Sequence, residues 1–328
     1  MKKLIIVPII ILTALTLLLS MAESEGVQKV FETFIEDDIM IEYTLDDAGG
    51  ATITYSFSNF YSRAEVRIPE ELDGHKVVAI GDFAFKYIDG VSSCKATRLY
   101  IPSSIVSIGA NPFGNWHTLK EIVVEPGNPR FETAGGALYD NYEQRLIACP
   151  LTLESSFTVR EGTKIIGELA FGVDELWGAR HSALSEILLP DSVEEIRDGA
   201  FELSGITSIK LPASLKIIGK EAFAHSALTD ITFNGILESV GSFAFRYTDL
   251  REVTLPDSIK SISNDAFANC DELETINASP HVLEMLTVNP EDCYTWVVGE
   301  DGCATITDVI KLPDRYTVTT PTRSTVIP

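Results

Sequence analysis

Four consecutive stretches of this sequence are copies of one another, and their spacing constrains the fold more than any other feature. Leu184-Ser-Glu-Ile-Leu-Leu-Pro190 is followed by Val193, Ile196 and Ala200-Phe201. Ile206-Thr-Ser-Ile-Lys-Leu-Pro212 is followed by Leu215, Ile218-Gly219 and Ala222-Phe223. Leu228-Thr-Asp-Ile-Thr-Phe-Asn234 leads to Val240-Gly241 and Ala244-Phe245, and Leu250-Arg-Glu-Val-Thr-Leu-Pro256 leads to Ile259, Ile262 and Ala266-Phe267. Phe201, Phe223, Phe245 and Phe267 are spaced 22 residues apart. A fixed period in this range identifies a solenoid. One unit carries about seven apolar side chains, each contributing roughly 1.5–3 kcal/mol on full burial. Fixing its backbone opposes this by roughly 1–2 kcal/mol per residue. A lone unit therefore does not fold, whereas stacked units share a core and sheet hydrogen bonds.

Less regular copies lie upstream. The first runs from Val66-Arg-Ile-Pro69 to Val78-Ala-Ile-Gly81 and Ala84-Phe85, with a wide loop over 70–76. The second runs Leu99-Tyr-Ile-Pro102, Ile105, Ile108-Gly109 and Pro112-Phe113, with Pro112 in place of Ala. Leu119-Lys-Glu-Ile-Val-Val124 opens a third strand, and residues 125–156 then interrupt the pattern. There Phe131-Glu-Thr-Ala-Gly-Gly-Ala-Leu-Tyr139 and Arg145-Leu-Ile-Ala-Cys-Pro150 bracket residues 140–144. This predicts an inserted hairpin with Leu138, Leu146 and Ile147 packed on the solenoid. The repeat resumes at Phe157-Thr-Val-Arg160, Ile166-Gly167 and Ala170-Phe171, with Arg160 where Pro is usual; a second insertion over 172–182 carries Trp177.

The flanks differ from the array. Val27, Val30, Phe31 and Phe34 have helix-like spacing. Ile41-Glu-Tyr-Thr-Leu45 and Ala51-Thr-Ile-Thr-Tyr55 alternate around a Gly-rich turn, which predicts a hairpin capping the first repeat's open edge. After residue 278, Cys293-Tyr-Thr-Trp-Val-Val-Gly299 and Cys303-Ala-Thr-Ile-Thr307 resemble that hairpin and read as the start of another module. The expected division is a leader over 1–22, a cap over 23–63, a solenoid over 64–278, and a C-terminal hairpin and tail over 279–328.

Lys2-Lys3 precede an apolar run over 4–19, and Ser20-Met21-Ala22 supplies small residues before Glu23. That is the pattern of a secretory signal cleaved before Glu23. The alternative is an uncleaved anchor, for which the run is short of the roughly 20 residues a span needs. No Cys follows the run, so a lipoprotein anchor has no support. The formal net charge of −23 excludes the basic stripe that nucleic acid requires and disfavours anionic lipid surfaces. Of the five Cys, only Cys293 and Cys303 flank a predicted hairpin, where an exported protein permits a disulfide. No CxxC pair marks a structural zinc site.

The unit Leu-x-x-Ile-x-Leu-Pro-x-Ser-Ile/Leu-x-x-Ile-Gly-x-x-Ala-Phe resembles the BspA-like class of leucine-rich repeats. Residues 250–267 match it nearly throughout, with Ser263 replacing the Gly, and the likeness extends over about residues 41–278. The insert's Gly135-Gly-Ala-Leu-Tyr-Asp140 and Leu146-Ile-Ala-Cys-Pro150 are similar to an element found within that family. The resemblance implies a β-rich solenoid of short strands and turns with inserted hairpins. It also implies an exported or surface protein of a microbe, some members acting as adhesins towards host matrix or other cells. It supplies no catalytic residues, and Leu312-Pro-Asp-Arg-Tyr316 lacks the Thr-Gly of a sortase signal.

No catalytic motif stands out. His75, His117, His181, His225 and His281 are scattered, and neither a GxSxG elbow nor a P-loop occurs. Cys149 and Cys270 read as buried fillers. The strands define a candidate surface instead. In Leu-x-x-Ile-x-Leu the apolar residues face inward, so the third and fifth positions face outward. The third column reads Glu121, Glu186, Ser208, Asp230, Glu252 and Thr275; the fifth reads Val123, Leu188, Lys210, Thr232, Thr254 and Asn277. Stacked strands are expected to merge these into one continuous acidic and hydroxyl-bearing face, with Val123, Leu188, Tyr139 and Trp177 adding an apolar patch. A merely solvated face explains the same residues. The functional reading is a non-enzymatic surface for a basic protein partner or, as an alternative, a divalent cation. A structural envelope component and a hydrolase on a repeat scaffold are the competing readings. No cofactor is implied, and the partner expected is a protein, matrix or cell-surface ligand.

Overall fold

The structure is a computed structural model that describes residues 32–36, 39–58, 64–85, 96–114, 116, 118–150, 156–172, 184–233, 236–287, 294–298 and 303–309. The leader over 1–22, Trp177, Cys94 and Cys293 lie outside these residues.

The chain enters through β1 (Glu32–Glu36), β2 (Ile39–Leu45) and β3 (Ala51–Ser58), which pair antiparallel in sequence order. Phe34 therefore lies in a strand and not in the helix its spacing suggests, while Val27, Val30 and Phe31 lie outside the described residues. A strand there supplies hydrogen-bond partners to the otherwise open edge of β2, and this outweighs local pattern. The predicted β2–β3 hairpin forms, its turn shaped by the Asp46 carboxylate, which accepts from the N–H groups of Ala48 at 2.9 Å and Gly50 at 2.7 Å.

The first coil comprises β4 (Glu65–Arg67), β5 (Glu71–Leu72) and β6 (His75–Ile80). Its wide loop is a β5–β6 hairpin turned through Asp73 and Gly74, with φ of 51° and 85°. Next come β7 (Arg98–Ile101), β8 (Ser107–Ile108) and β9 (Glu121–Val124). Strands β4, β7 and β9 stack in parallel on one side of the coil, and β3, β6 and β8 stack in parallel on another.

The insertion is a three-stranded antiparallel meander rather than one hairpin: β10 (Phe131–Ala134), β11 (Ala137–Asp140) and β12 (Arg145–Ala148). Gly135 and Gly136, with φ of 59° and 84°, make the first turn where the sequence reads as one continuous strand. Every residue of β11 and β12 is buried. Strand alternation explains why. Ala137, Tyr139, Leu146 and Cys149 enter the C-terminal core, while Phe131, Leu138, Ile147 and Ala148 enter the N-terminal one. The insertion is an internal wall between two halves of the solenoid.

Beyond the wall the coils are regular. Each pairs a strand of three residues with one of two: β13 (Ser156–Thr158) and β14 (Ile165–Ile166), β15 (Glu186–Leu188) and β16 (Glu195–Ile196), β17 (Ser208–Lys210) and β18 (Ile217–Ile218), β19 (Asp230–Thr232) and β20 (Ser239–Val240), then β21 (Glu252–Thr254) and β22 (Ser261–Ile262). Strands β10 to β12, β14, β16, β18, β20 and β22 form one eight-stranded sheet. Strand β23 (Thr275–Asn277) precedes helix α1 (Pro280–Thr287), whose Val282, Leu283 and Leu286 join the C-terminal core. Finally β24 (Tyr294–Val298) and β25 (Cys303–Val309) form an antiparallel pair, and β25 runs antiparallel to β23.

The Ala-Phe turns build the third side of the coil. Phe171, Phe201, Phe223, Phe245 and Phe267 stack with centroid spacings of 5.1, 5.0, 5.3 and 5.1 Å. Left-handed residues flank Ala200-Phe201, Ala222-Phe223 and Ala244-Phe245 on both sides; Glu221 and His225 around Phe223 have φ of 55° and 56°. Alternating handedness aims every second N–H along the axis. Thus Glu221, Phe223 and His225 donate to Ser242, Ala244 and Arg246 of the next coil at 2.9, 2.7 and 2.7 Å. No β-branched residue occupies these left-handed positions, as their Cβ crowding requires.

The glycine after the second strand answers to close approach. A Cβ on Gly241 would lie 2.6 Å from the backbone of Gly219 and Lys220 in the preceding coil. Gly241→Ala is expected to cost roughly 1–3 kcal/mol as an overpacking change. Chemical denaturation checks this, and an unchanged midpoint would refute the close approach.

Candidate functional site

The outward alternation predicted for the strands holds. In β15, β17, β19 and β21 the central residue is buried and both neighbours are exposed. Glu186, Leu188, Ser208, Lys210, Asp230, Thr232, Glu252 and Thr254 therefore project from the solenoid, and Thr275 and Asn277 of β23 do so less fully. Leu188 is the most exposed apolar member, at 56%.

The strands of the face are neighbours from coil to coil, but their hydrogen-bond ladder is interrupted. The ladder joins β13 to β15, β17 to β19 and β21 to β23, with no ladder between β15 and β17 or between β19 and β21. Glu121 belongs to a separate three-stranded sheet, because the inserted wall follows β9 directly. Among the described members of the expected apolar patch, only Leu188 is prominently exposed, and Trp177 lies outside the described residues. Tyr139 is fully buried, its hydroxyl accepting from the Arg160 N–H at 3.3 Å, and Val123 is only partly exposed. A strand packed on both faces has no outward side, so alternation could not identify Tyr139 as interior.

The two sections of the face differ electrostatically. Around Glu121 the charges satisfy one another. Arg98 Nε lies 2.6 Å from Glu121 and its Nη1 3.0 Å from Glu65, while Arg67 covers the Tyr100 ring at 3.6 Å and pairs with Glu125 at 3.4 Å. The Glu121 hydrogen bond holds the Arg98 guanidinium further into its charged form. On β15 to β21, three carboxylates (Glu186, Asp230, Glu252) face one ammonium, Lys210. Asn277 donates to Glu252 at 2.7 Å, but Glu186, Lys210 and Asp230 have no ion pair among the described residues.

The side carrying β14 to β22 is different again. Lys164, Glu194, Lys216, Glu238 and Lys260 occupy one position in successive coils, so charge alternates along the axis. Lys216 lies 2.7 Å from Glu194, Lys260 2.9 Å from Glu238 and Lys164 4.0 Å from Glu194. The hydrogen bond from Lys216 holds the Glu194 carboxyl below the usual range, and Glu194 in turn raises the Lys216 ammonium. This side is neutralised within the chain.

At the wall, a network that the sequence did not announce links both halves. The Asp140 carboxylate has no solvent exposure and takes two N–H groups of Arg130 at 2.6 and 2.9 Å. Arg130 continues to Glu143 at 2.9 Å, Glu143 to Arg145 at 3.0 Å, Arg145 to Glu168 at 3.4 Å, and Glu168 to Arg197 at 3.1 Å. Arg160, where Pro is usual, stacks on Tyr139 at 4.4 Å and pairs with Glu132. The other Asp140 oxygen accepts from the N–H groups of Tyr142 and Glu143 at 2.9 and 3.1 Å. This holds Tyr142 at the turn tip, 86% exposed. The only available signal was Asp-Asn-Tyr-Glu, an Asx-turn sequence.

A cavity of about 20 Å³ at the seam, lined by Asn111, Trp116, Leu119 and Cys149 among others, accommodates one water at most. Among the described residues no group of three or more His, Cys, Asp or Glu is placed to hold a metal ion. Burial pushes the Cys149 thiol up and the Cys270 thiol up to about 11. Both are therefore expected to resist iodoacetamide at pH 8 until denaturant is added. Peptide mass mapping checks this, and rapid native labelling of either would contradict their burial.

Comparison with known proteins follows the same outline. A family description, BspA type Leucine rich repeat region, matches in six copies over residues 42–141 and 176–287. Among solved structures, a leucine-rich repeat protein from Eubacterium ventriosum is 16% identical, covers 76% of this chain and 86% of its own, and has a TM-score of 0.50. The pneumococcal vaccine antigen PcpA is 17% identical over 80% of this chain and 97% of its own, with a TM-score of 0.45. A leucine rich cell surface protein from Faecalibacterium prausnitzii is 19% identical over 75% and 88%, with a TM-score of 0.36. Comparison with curated proteins gives no match. No helix among the described residues is long and apolar enough to cross a membrane.

Proposed function

Because the chain belongs to the BspA-type leucine-rich repeat family, we propose that it is an exported, non-enzymatic binding protein whose strand face captures a basic protein partner. The partner class is a protein of a host matrix or cell surface, in the manner of an adhesin. One observation carries this reading: among the described residues Glu186 and Asp230 of the strand face have no ion pair and Glu252 has only the Asn277 hydrogen bond, whereas Glu194 and Glu238 on the β14 to β22 side are paired with lysines within the chain. Carboxylates without an ion pair steer oppositely charged partners and lose little on binding, because no internal ion pair must first be broken. Export rests on Lys2-Lys3, the apolar run over 4–19 and the small residues 20–22.

The test is capture of matrix proteins by the immobilised chain, comparing E186K/D230K/E252K with D47K/E70K/E161K. Both variants change net charge equally at exposed positions, the second set lying off the face. The first is expected to lose capture and the second to keep most of it, with circular dichroism unchanged in both. Equal losses would reduce the face to a contributor of bulk charge.

A further inference from the structure

The seam between the N-terminal coils and the wall is where the axial pattern changes. Beyond it, Phe N–H groups donate to the Ala carbonyl of the next coil, as Phe171 does to Ala200 at 2.9 Å and Phe201 to Ala222 at 2.7 Å. Phe85 makes the same bond to Pro112 at 2.8 Å. In the wall the donor is Cys149, whose N–H reaches the Ala170 carbonyl at 2.9 Å. Cys149 therefore stands where a Phe ring stands elsewhere in the column, with a much smaller side chain. The cavity of about 20 Å³ opens beside it, against Phe113, Trp116 and Leu119. Among the described residues the Phe113 N–H finds no carbonyl across this seam, so the axial bond is interrupted at the same place.

We propose that the seam binds one buried water molecule, which accepts from Asn111 Nδ2 and bridges the N-terminal coils to the wall. Asn111 lines the cavity at 5% exposure, and its Nδ2 has no hydrogen-bond partner among the described residues. A buried N–H donor left unsatisfied bears its desolvation in full. A space of about 10–15 Å³ admits one water where polar groups hold it, whereas an all-apolar void stays dry. The Cys149 thiol and the Phe113 N–H belong to lining residues and give the water further partners. The volume excludes larger guests, and the N–H donors exclude a cation. Local structure favours this placement of the amide. A Cβ on Gly114 would lie 2.7 Å from Asn111 Nδ2, so the glycine leaves the amide its room. Asn111 itself has φ of 35°, a positive value that Asn accepts more readily than most residues. A water bridge is nearly as good as a direct hydrogen bond, so it restores across the seam the link that axial bonds make elsewhere.

The test is magnetisation transfer between water and the side-chain amides of the full chain, isotope-labelled at asparagine. The Asn111 NH2 signal, assigned by its loss in N111D, is expected to show a water cross-peak with the sign of a long-lived contact. Cys149→Val places one more methyl group beside the cavity. In that variant, with folding verified by circular dichroism, the NH2 signal should remain and its water cross-peak should be lost. A crystal structure of the full chain gives a second reading that needs no variant: ordered density at about 2.7–3.2 Å from Asn111 Nδ2. An Asn111 NH2 signal without a water cross-peak, an undiminished cross-peak in folded C149V, or a dry cavity in the crystal would each overturn the site.

Discussion

Phe223→Ala is expected to remove about 3–5 kcal/mol of stability, the usual loss for a buried Phe. At roughly 2–4 °C per kcal/mol for a domain of this size, melting falls by about 6–20 °C. The ring has no exposure and stacks on Phe201 at 5.0 Å and Phe245 at 5.3 Å. Its removal opens a void in the middle of a column whose neighbours are fixed by axial backbone bonds from Glu221, Phe223 and His225. Those bonds prevent collapse, which places the cost towards the upper end. Because coils contact mainly their neighbours, the damage should concentrate in adjacent repeats. Hydrogen exchange would show it there first, and an unchanged melting temperature would mean that the Ala-Phe pair is not core.

The second large effect lies at the wall. Arg130→Met is expected to cost about 3–5 kcal/mol, because it leaves a buried charge without its partner. Asp140 is fully buried, and both guanidinium bonds to one of its oxygens disappear. Arg130 also donates to the Val106 carbonyl at 3.0 Å, tying the wall to the N-terminal half. The double variant R130M/D140N should recover much of the loss, since a neutral amide tolerates the site better than an orphaned carboxylate. If the double variant is no better than the single one, lost packing rather than charge is responsible.

What could be read in the sequence was whatever the copies repeat. The Phe column, the inward Ile and Leu, and the outward third and fifth positions follow from four nearly identical lines of text and strand alternation. What could not be read depends on neighbours distant in sequence. Tyr139 lies in a strand sandwiched between two cores, so its burial reflects the coils on both sides and not its own pattern. The strand at 32–36 exists because β2 has an edge to fill. Arg130 and Asp140 are ordinary loop residues until the meander brings them together. Helix α1 was legible in principle: Ser279-Pro280 is a cap followed by a first-turn proline, and Val282, Leu283 and Leu286 share a face. The candidate site follows the same division. Its positions were predictable, but its interrupted hydrogen-bond ladder and its contrast with the self-paired side required the fold.

If the proposed function is right, the strand face carrying Glu186, Asp230 and Glu252, and not the rest of an acidic surface, meets the partner. Carbodiimide footprinting of carboxylates, in the free chain and in complex with a captured basic protein, tests it most directly. Protection is expected at Glu186, Asp230 and Glu252, with Glu194 and Glu238 unchanged. Protection at Glu194 and Glu238, or at Glu143 beside Tyr142, with Glu186 and Asp230 still labelled, would contradict it.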